Sequence, residues 1–219
     1  MPELTLNTFT TPPLTMAQVL QRAEHSYRAG QLSQAVVLYR QVLQVQPNQS
    51  EALHALGVIA AQAKRYEEAR ALIKRAILSN SAVASFHNSL GNVFWLQKQL
   101  DEALECYQQA LSLNPNLVEI YNNIGMIFGE QGKFAEAMAC FQRVLAVNPK
   151  EVKALYNLGL AFSKQGRLTE AEACYQQVLT LTPNYEEAYS SLGKVCKDRG
   201  KIVEAIQYYR TALQLKPTY

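Results

Sequence analysis

An all-α solenoid of six stacked helix-turn-helix units is the fold class this 219-residue sequence predicts, on three observations. Prolines recur every 34 residues at Pro47, Pro115, Pro149, Pro183 and Pro217, with Ser81 at the one vacant position. Glycines keep the same step at Gly57, Gly91, Gly125, Gly159 and Gly193, and so do alanines at Ala35, Ala69, Ala103, Ala137, Ala171 and Ala205. A unit this short cannot bury its own apolar face, so neighbours must stack into one continuous core.

Residues 1–15 precede the periodic region. Pro12-Pro13 and five threonines oppose a helix there, and the reading is an extended or disordered tail in which Leu4, Leu6 and Phe9 are candidates to dock onto a neighbouring surface. The repeats then run 16–49, 50–83, 84–117, 118–151, 152–185 and 186–219.

The fourth copy gives the clearest view of the unit. Tyr121, Ile124, Gly125 and Phe128 follow the i, i+3, i+4, i+7 spacing of one helical face. Gly132 ends this first helix by accepting the left-handed conformation of a C-terminal cap; Gly30, Gly166 and Gly200 repeat the signal, and Lys64 and Lys98 replace it. Phe134, Ala137, Met138, Phe141, Val144 and Leu145 form a second apolar stripe, closed by Asn148-Pro149. Ser33, Asp101 and Thr169 are expected N-caps of second helices.

Glycine within a helix costs about 1 kcal/mol relative to alanine, so five in register require a packing reason. The expected reason is close approach of Gly125 to Ala137 where the two helices cross. Larger residues fill the remaining space, with Tyr39, Ile73, Tyr107, Phe141, Tyr175 and Tyr209 at one phase and Phe94, Phe128 and Phe162 at another.

Composition narrows the function. An apolar fraction of 48% supports a sizeable core, and a net charge of +3 is too weakly basic to point to nucleic acid or an anionic membrane. No stretch is long and apolar enough to span a bilayer, and the N-terminus lacks the pattern of a secretion signal, which places the protein in the cytosol. Cys106, Cys140 and Cys174 share one phase of consecutive repeats. Equivalent helices lie roughly 8–10 Å apart, beyond the ~7 Å Cα separation of a disulfide and far beyond a shared zinc ion. These three cysteines, and Cys196 at a core-facing phase, read as packing residues.

Taken together, these phases resemble the tetratricopeptide repeat, whose 34-residue pattern has a large residue, Leu-Gly, an aromatic, then Ala, an aromatic, Ala and Pro. The resemblance spans residues 16–219. Departures are Arg22-Ala23 in place of Leu-Gly in repeat one and Ser79-Asn80-Ser81 in place of Asn-Pro in repeat two. It implies a right-handed superhelix whose first helices line a concave groove that binds peptides or partner domains.

Carried onto this sequence, the groove-lining phases are those left after the core is removed. They gather Asn88, Asn92 and Trp95, then Asn122, Asn123 and Met126, then Tyr156, Asn157 and Leu160. Asparagine can hydrogen-bond an extended peptide backbone irrespective of its sequence, whereas Trp95, Met126 and Leu160 can supply selective apolar pockets. The competing reading is that the asparagines bridge helices and Trp95 packs between repeats. The shared asparagine is similar to the ladder of O-linked N-acetylglucosamine transferase repeat arms, interrupted here by Ser89 and Ser191. The carboxylate clamp of chaperone-binding repeats is incomplete, with Glu24 or Glu130 where neutral or positive groups are wanted.

Charge is uneven along the array. Repeat three has one basic and three acidic residues, net −2, while repeat six has six basic and four acidic, net +2. Lys153, Lys164, Lys194 and Lys197 are candidates for the groove of repeats five and six, Lys194 foremost, and would orient an acidic ligand segment toward the C-terminal end. His25, His54 and His87 lie at scattered phases with no cysteine or carboxylate constellation, so no catalytic residue, metal site or cofactor is expected. The leading reading is a non-enzymatic interaction scaffold for a protein or peptide partner, with homo-oligomerisation through an uncapped last helix as a further expectation. The alternative is the substrate-recruiting arm of a larger enzyme such as a glycosyltransferase.

Overall fold

The computed structural model describes residues 14–216, which form twelve α-helices and no strand. The first helices of successive pairs are α1 (Met16–Arg28), α3 (Ser50–Gln62), α5 (Ala84–Leu96), α7 (Glu119–Glu130), α9 (Val152–Lys164) and α11 (Glu186–Asp198). The second helices are α2 (Leu32–Val45), α4 (Tyr66–Ser79), α6 (Leu100–Leu113), α8 (Phe134–Val147), α10 (Leu168–Leu181) and α12 (Ile202–Leu215). The chain divides into two compact units, one up to Gln97 and one from Lys98. The docking expected of Leu4, Leu6 and Phe9, and the turn at Pro217, lie outside the described residues. Thr15, assigned to the tail, is the N-cap of α1 and forms a reciprocal capping box with Gln18.

Each first helix ends as its sequence dictates. Gly30, Gly132, Gly166 and Gly200 have φ of 74–75°, and Lys64 and Lys98 adopt the same left-handed turn at φ 59° and 61°. Within two residues the second helix begins, which corrects the expected N-caps. Gln31, Gln99 and Arg167 occupy the cap positions and make no side-chain cap bond, so Ser33, Asp101 and Thr169 fall within the first turn. The tight turn starts these helices before those side chains can reach back. Asp101 and Glu102, like Glu67-Glu68 and Glu186-Glu187, instead favour the positive end of the helix dipole.

The glycine register is also sharper than expected. A Cβ on Gly125 would stand 2.6 Å from Cε1 of Phe141, and Gly159 and Gly193 meet the rings of Tyr175 and Tyr209 at 2.7 Å. The nearest atoms in the space left by Gly125 are those of the aromatic one turn beyond Ala137, while at Gly57 the Ala69 carbonyl also stands 3.2 Å from a Cβ position, the close approach to the alanine row. Phe141 and Tyr175 are buried in the core of the second unit with Ala137, Leu158, Phe162 and Leu192. In the first unit Ala23, Ala35, Tyr39 and Val42 pack with Leu56 and Ile59. Cys106 and Cys140 are half-buried, Cys174 and Cys196 buried, and all four are free thiols. Burial pushes the Cys174 thiol up to about 11, the Glu170 carboxylate adding to the shift, which leaves it protonated and unreactive. On α12, Ile202, Val203, Ile206, Leu213 and Leu215 are exposed, while Tyr209 is half-buried against Gly193. No described helix is long and apolar enough to cross a membrane.

Candidate peptide-binding face

The first helices of neighbouring repeats are joined by one recurring polar contact, between residues 35 apart. In the first unit His54 Nε2 and Ser89 Oγ are 2.8 Å apart. In the second unit Asn157 Nδ2 donates to Asn122 Oδ1 at 3.3 Å, and Tyr156 Oη pairs with Ser191 Oγ at 3.3 Å. The geometry follows from the sequence. Residues at the phase of His54, Asn122 and Tyr156 lie on the flank of a first helix that meets the next first helix, whose facing phase holds Ser89, Asn157 and Ser191.

A second polar contact reaches these residues from the aromatic row of the second helices. Tyr107 hydrogen-bonds the Asn123 side chain, Tyr175 stands at the same phase beside Ser191, and burial holds both phenols well above the usual tyrosine range. The intervening repeat carries Phe141 at this phase and has no hydroxyl to offer. Asn157 is thus left with one side-chain hydrogen bond, to Asn122, among the described residues, and keeps an amide oxygen and an N–H for another partner.

Asn157 lines an apolar cavity of about 260 Å³ in the second unit. Met126, Gly129 and Glu130 of α7, Phe134 and Phe141 of α8, and Leu160 and Lys164 of α9 form its walls and rim. Gly129 has no atom within 4 Å of where a Cβ would project, so unlike Gly125 it serves no packing contact. Its missing side chain keeps the cavity open. Glu130 is bound by Lys98, whose Nζ donates to both carboxylate oxygens at 3.1 Å. Lys164 is exposed and has no carboxylate partner among the described residues.

The remaining candidates are distributed between the units. Asn122 and Asn123 line a more polar cavity of about 490 Å³ that also reaches Glu119, Asn148 and Lys153. Tyr156 is held by ring contacts to Tyr175 and Tyr185, at 5.7 and 5.3 Å between centroids. Lys194 is exposed on α11 and lines neither cavity, although it shares the phase of Met126 and Leu160. In the first unit Asn92 lines a smaller cavity of about 190 Å³, built at the same phases by Val58, Ala61 and Leu96. Trp95 is half-buried near the end of α5 and lines none of these cavities; Asn88 is half-buried with its Oδ1 shielded from solvent. The first unit also contains a cavity of about 610 Å³ reached by Tyr27, His54 and Phe86. There the His54 ring stacks at 4.6 Å on Phe86, and burial lowers its pKa to about 4, so the imidazole is neutral.

The family profile described as the cilia and flagella-associated protein 70 C-terminal domain, a tetratricopeptide-repeat domain, matches residues 7–218. The chain belongs to this tetratricopeptide-repeat family. No curated protein matches the chain. Solved tetratricopeptide-repeat structures share its fold. PilW, described as a type IV pilus biogenesis factor, superposes with a TM-score of 0.84 at 20% identity over 93% of this chain and 94% of that one. PilF of Pseudomonas aeruginosa gives 0.81 at 20% identity over 93% of both chains. YrrB, described as having an unusual peptide-binding site, gives 0.65 at 17% identity over 83% of this chain and 93% of that one. Tetratricopeptide repeats are interaction scaffolds, and the fold assigns this chain to that general class.

Within the repeat register, three features of the site escaped the sequence reading. Gly129 stands where other repeats have Tyr27, Ala61, Trp95, Ser163 and Lys197, a signal visible once glycines outside the core row are considered separately. Phe134 belongs to the apolar stripe of the second helix, yet it also lines the cavity. The exchange of tyrosine for phenylalanine at Phe141 reads as conservative until its hydroxyl partner is known.

Proposed function

We propose that this protein is a non-catalytic scaffold of the cytosol that holds an extended peptide segment of a partner protein against the first-helix face of its second unit. One observation carries the reading. Met126 and Leu160, from neighbouring first helices, meet around an open apolar cavity with the amide of Asn157 in its wall. An apolar cavity with a few convergent polar groups is the usual form of a recognition site. Asn122, Asn123, Tyr156 and Lys194 extend the face on either side, with Asn88, Asn92 and Trp95 offering the equivalent face of the first unit.

Selection from a displayed library of randomised peptides, followed by anisotropy titration of the enriched sequences, tests the reading. Binding is expected to be lost in Met126→Asp/Leu160→Asp, and because both half-buried side chains also pack against the core, circular dichroism at the titration temperature must show this variant folded. Enriched peptides that bind this double variant as well as the wild type would place recognition elsewhere.

A further inference from the structure

The chemistry of the cavity specifies what kind of peptide it takes. Its walls are almost entirely apolar, formed by Met126, Phe134, Phe141 and Leu160, with Gly129 leaving one side open. A cavity of roughly 150 Å³ is enough to hold a benzene molecule. The 260 Å³ found here accommodates an aromatic or long aliphatic side chain.

Two polar groups then set what lies beside that anchor. The Asn157 amide, spared the phenol bond that Tyr107 makes to Asn123, retains a donor and an acceptor for a peptide main-chain group. At the rim, Glu130 is neutralised by Lys98, whereas Lys164 is uncompensated, so the mouth of the cavity favours negative charge.

We propose that the cavity between α7, α8 and α9 is an anchor pocket for a large apolar residue of an extended partner peptide, with an adjacent Asp or Glu paired to Lys164, and that Gly129 sets the size of residue admitted. This rests on the peptide-scaffold reading above and narrows it to a ligand class. The smaller cavity at the same phases of the first unit has Ala61 for Gly129, Asn92 for Leu160 and Leu96 for Lys164. It is therefore smaller and lacks the cation, and selectivity resides in the second unit.

The test uses the randomised peptide library on the full chain and three variants. Wild type is expected to enrich peptides that place Phe, Trp, Leu or Met next to an Asp or Glu. Gly129→Leu, at an open helical position, is expected to fold normally and weaken those peptides at least tenfold. Phe141→Tyr supplies the missing hydroxyl to Asn157 and is expected to weaken them several-fold with the melting temperature unchanged. Lys164→Glu should exchange the acidic preference for a basic one. Peptides that bind and are abolished by Met126→Asp/Leu160→Asp, yet ignore Gly129→Leu and Lys164→Glu, would overturn the anchor pocket while leaving the scaffold reading in place. Enrichment of no peptide over a scrambled-library control would overturn both.

Discussion

Asn157 donates Nδ2 to Asn122 Oδ1 across 3.3 Å and so links α9 to α7, the first helices of adjacent repeats. The same pair of phases is occupied by His54 with Ser89 and by Tyr156 with Ser191, which makes this a structural joint as well as part of the proposed face. A neutral hydrogen bond of this kind contributes about 0.5–1.5 kcal/mol. A double-mutant cycle on Asn122→Ala and Asn157→Ala, read by urea unfolding, should give a coupling energy in that range. Additive losses would show that the two amides do not act as a pair.

Two glycines in α7 should respond to alanine with opposite signs. At Gly125 the new Cβ meets the Phe141 ring at 2.6 Å, and overpacking of this kind costs about 1–3 kcal/mol. At Gly129 the methyl enters open space, and the helix gains up to about 1 kcal/mol from the better propensity of alanine. Phe141→Ala removes the ring itself and should cost about 3–5 kcal/mol. Urea midpoints of the three variants check the order. A stabilising Gly125→Ala would refute the close approach.

His54 predicts acid sensitivity. Its folded pKa is lowered to about 4 by desolvation, below the ordinary 6.5, so the unfolded chain binds the proton more readily. Stability from this residue is present above about pH 6.5 and falls as the pH drops through the window down to about 4. The loss at pH 4.5 is on the order of 2 kcal/mol. Glu24 and Glu51 line the same cavity, so the comparison must be with His54→Gln across the same range. That variant should show a shallower decline between pH 6.5 and 4.5; identical slopes would contradict the assignment.

Lys64 occupies a left-handed conformation that glycine adopts without steric cost in four other repeats. Lys64→Gly is expected to raise stability by about 0.5–1 kcal/mol, and Gly132→Ala to lower it by a similar amount. Thermal unfolding monitored by circular dichroism separates the two signs.

The fold was legible because its signals are local and repeated. Gly132 marks a helix end by backbone sterics alone, and Ala137 and Phe141 mark a core face by spacing. The N-caps were misplaced because the turn geometry after Gly30 and Gly166, which pulls the helix start ahead of Ser33 and Thr169, is not encoded in cap propensities. The site was legible only as a stripe. Met126, Asn157 and Leu160 could be phased onto one face, but whether an asparagine is spent depends on its neighbour across the repeat. Tyr107 engages Asn123, and Phe141 cannot engage Asn157. Such pairings join residues from different helices and are set by the folded structure, not by any local stretch of sequence. Trp95 illustrates the converse, a large side chain at a groove phase that lines none of the cavities described.

The central claim is that recognition centres on the cavity held open by Gly129. Anisotropy titration of a library-selected peptide against wild type and Gly129→Leu, with melting temperatures recorded for both, tests it most directly. The account predicts at least a tenfold weaker Kd for the variant with no loss of thermal stability. An unchanged Kd in a folded Gly129→Leu protein would contradict it.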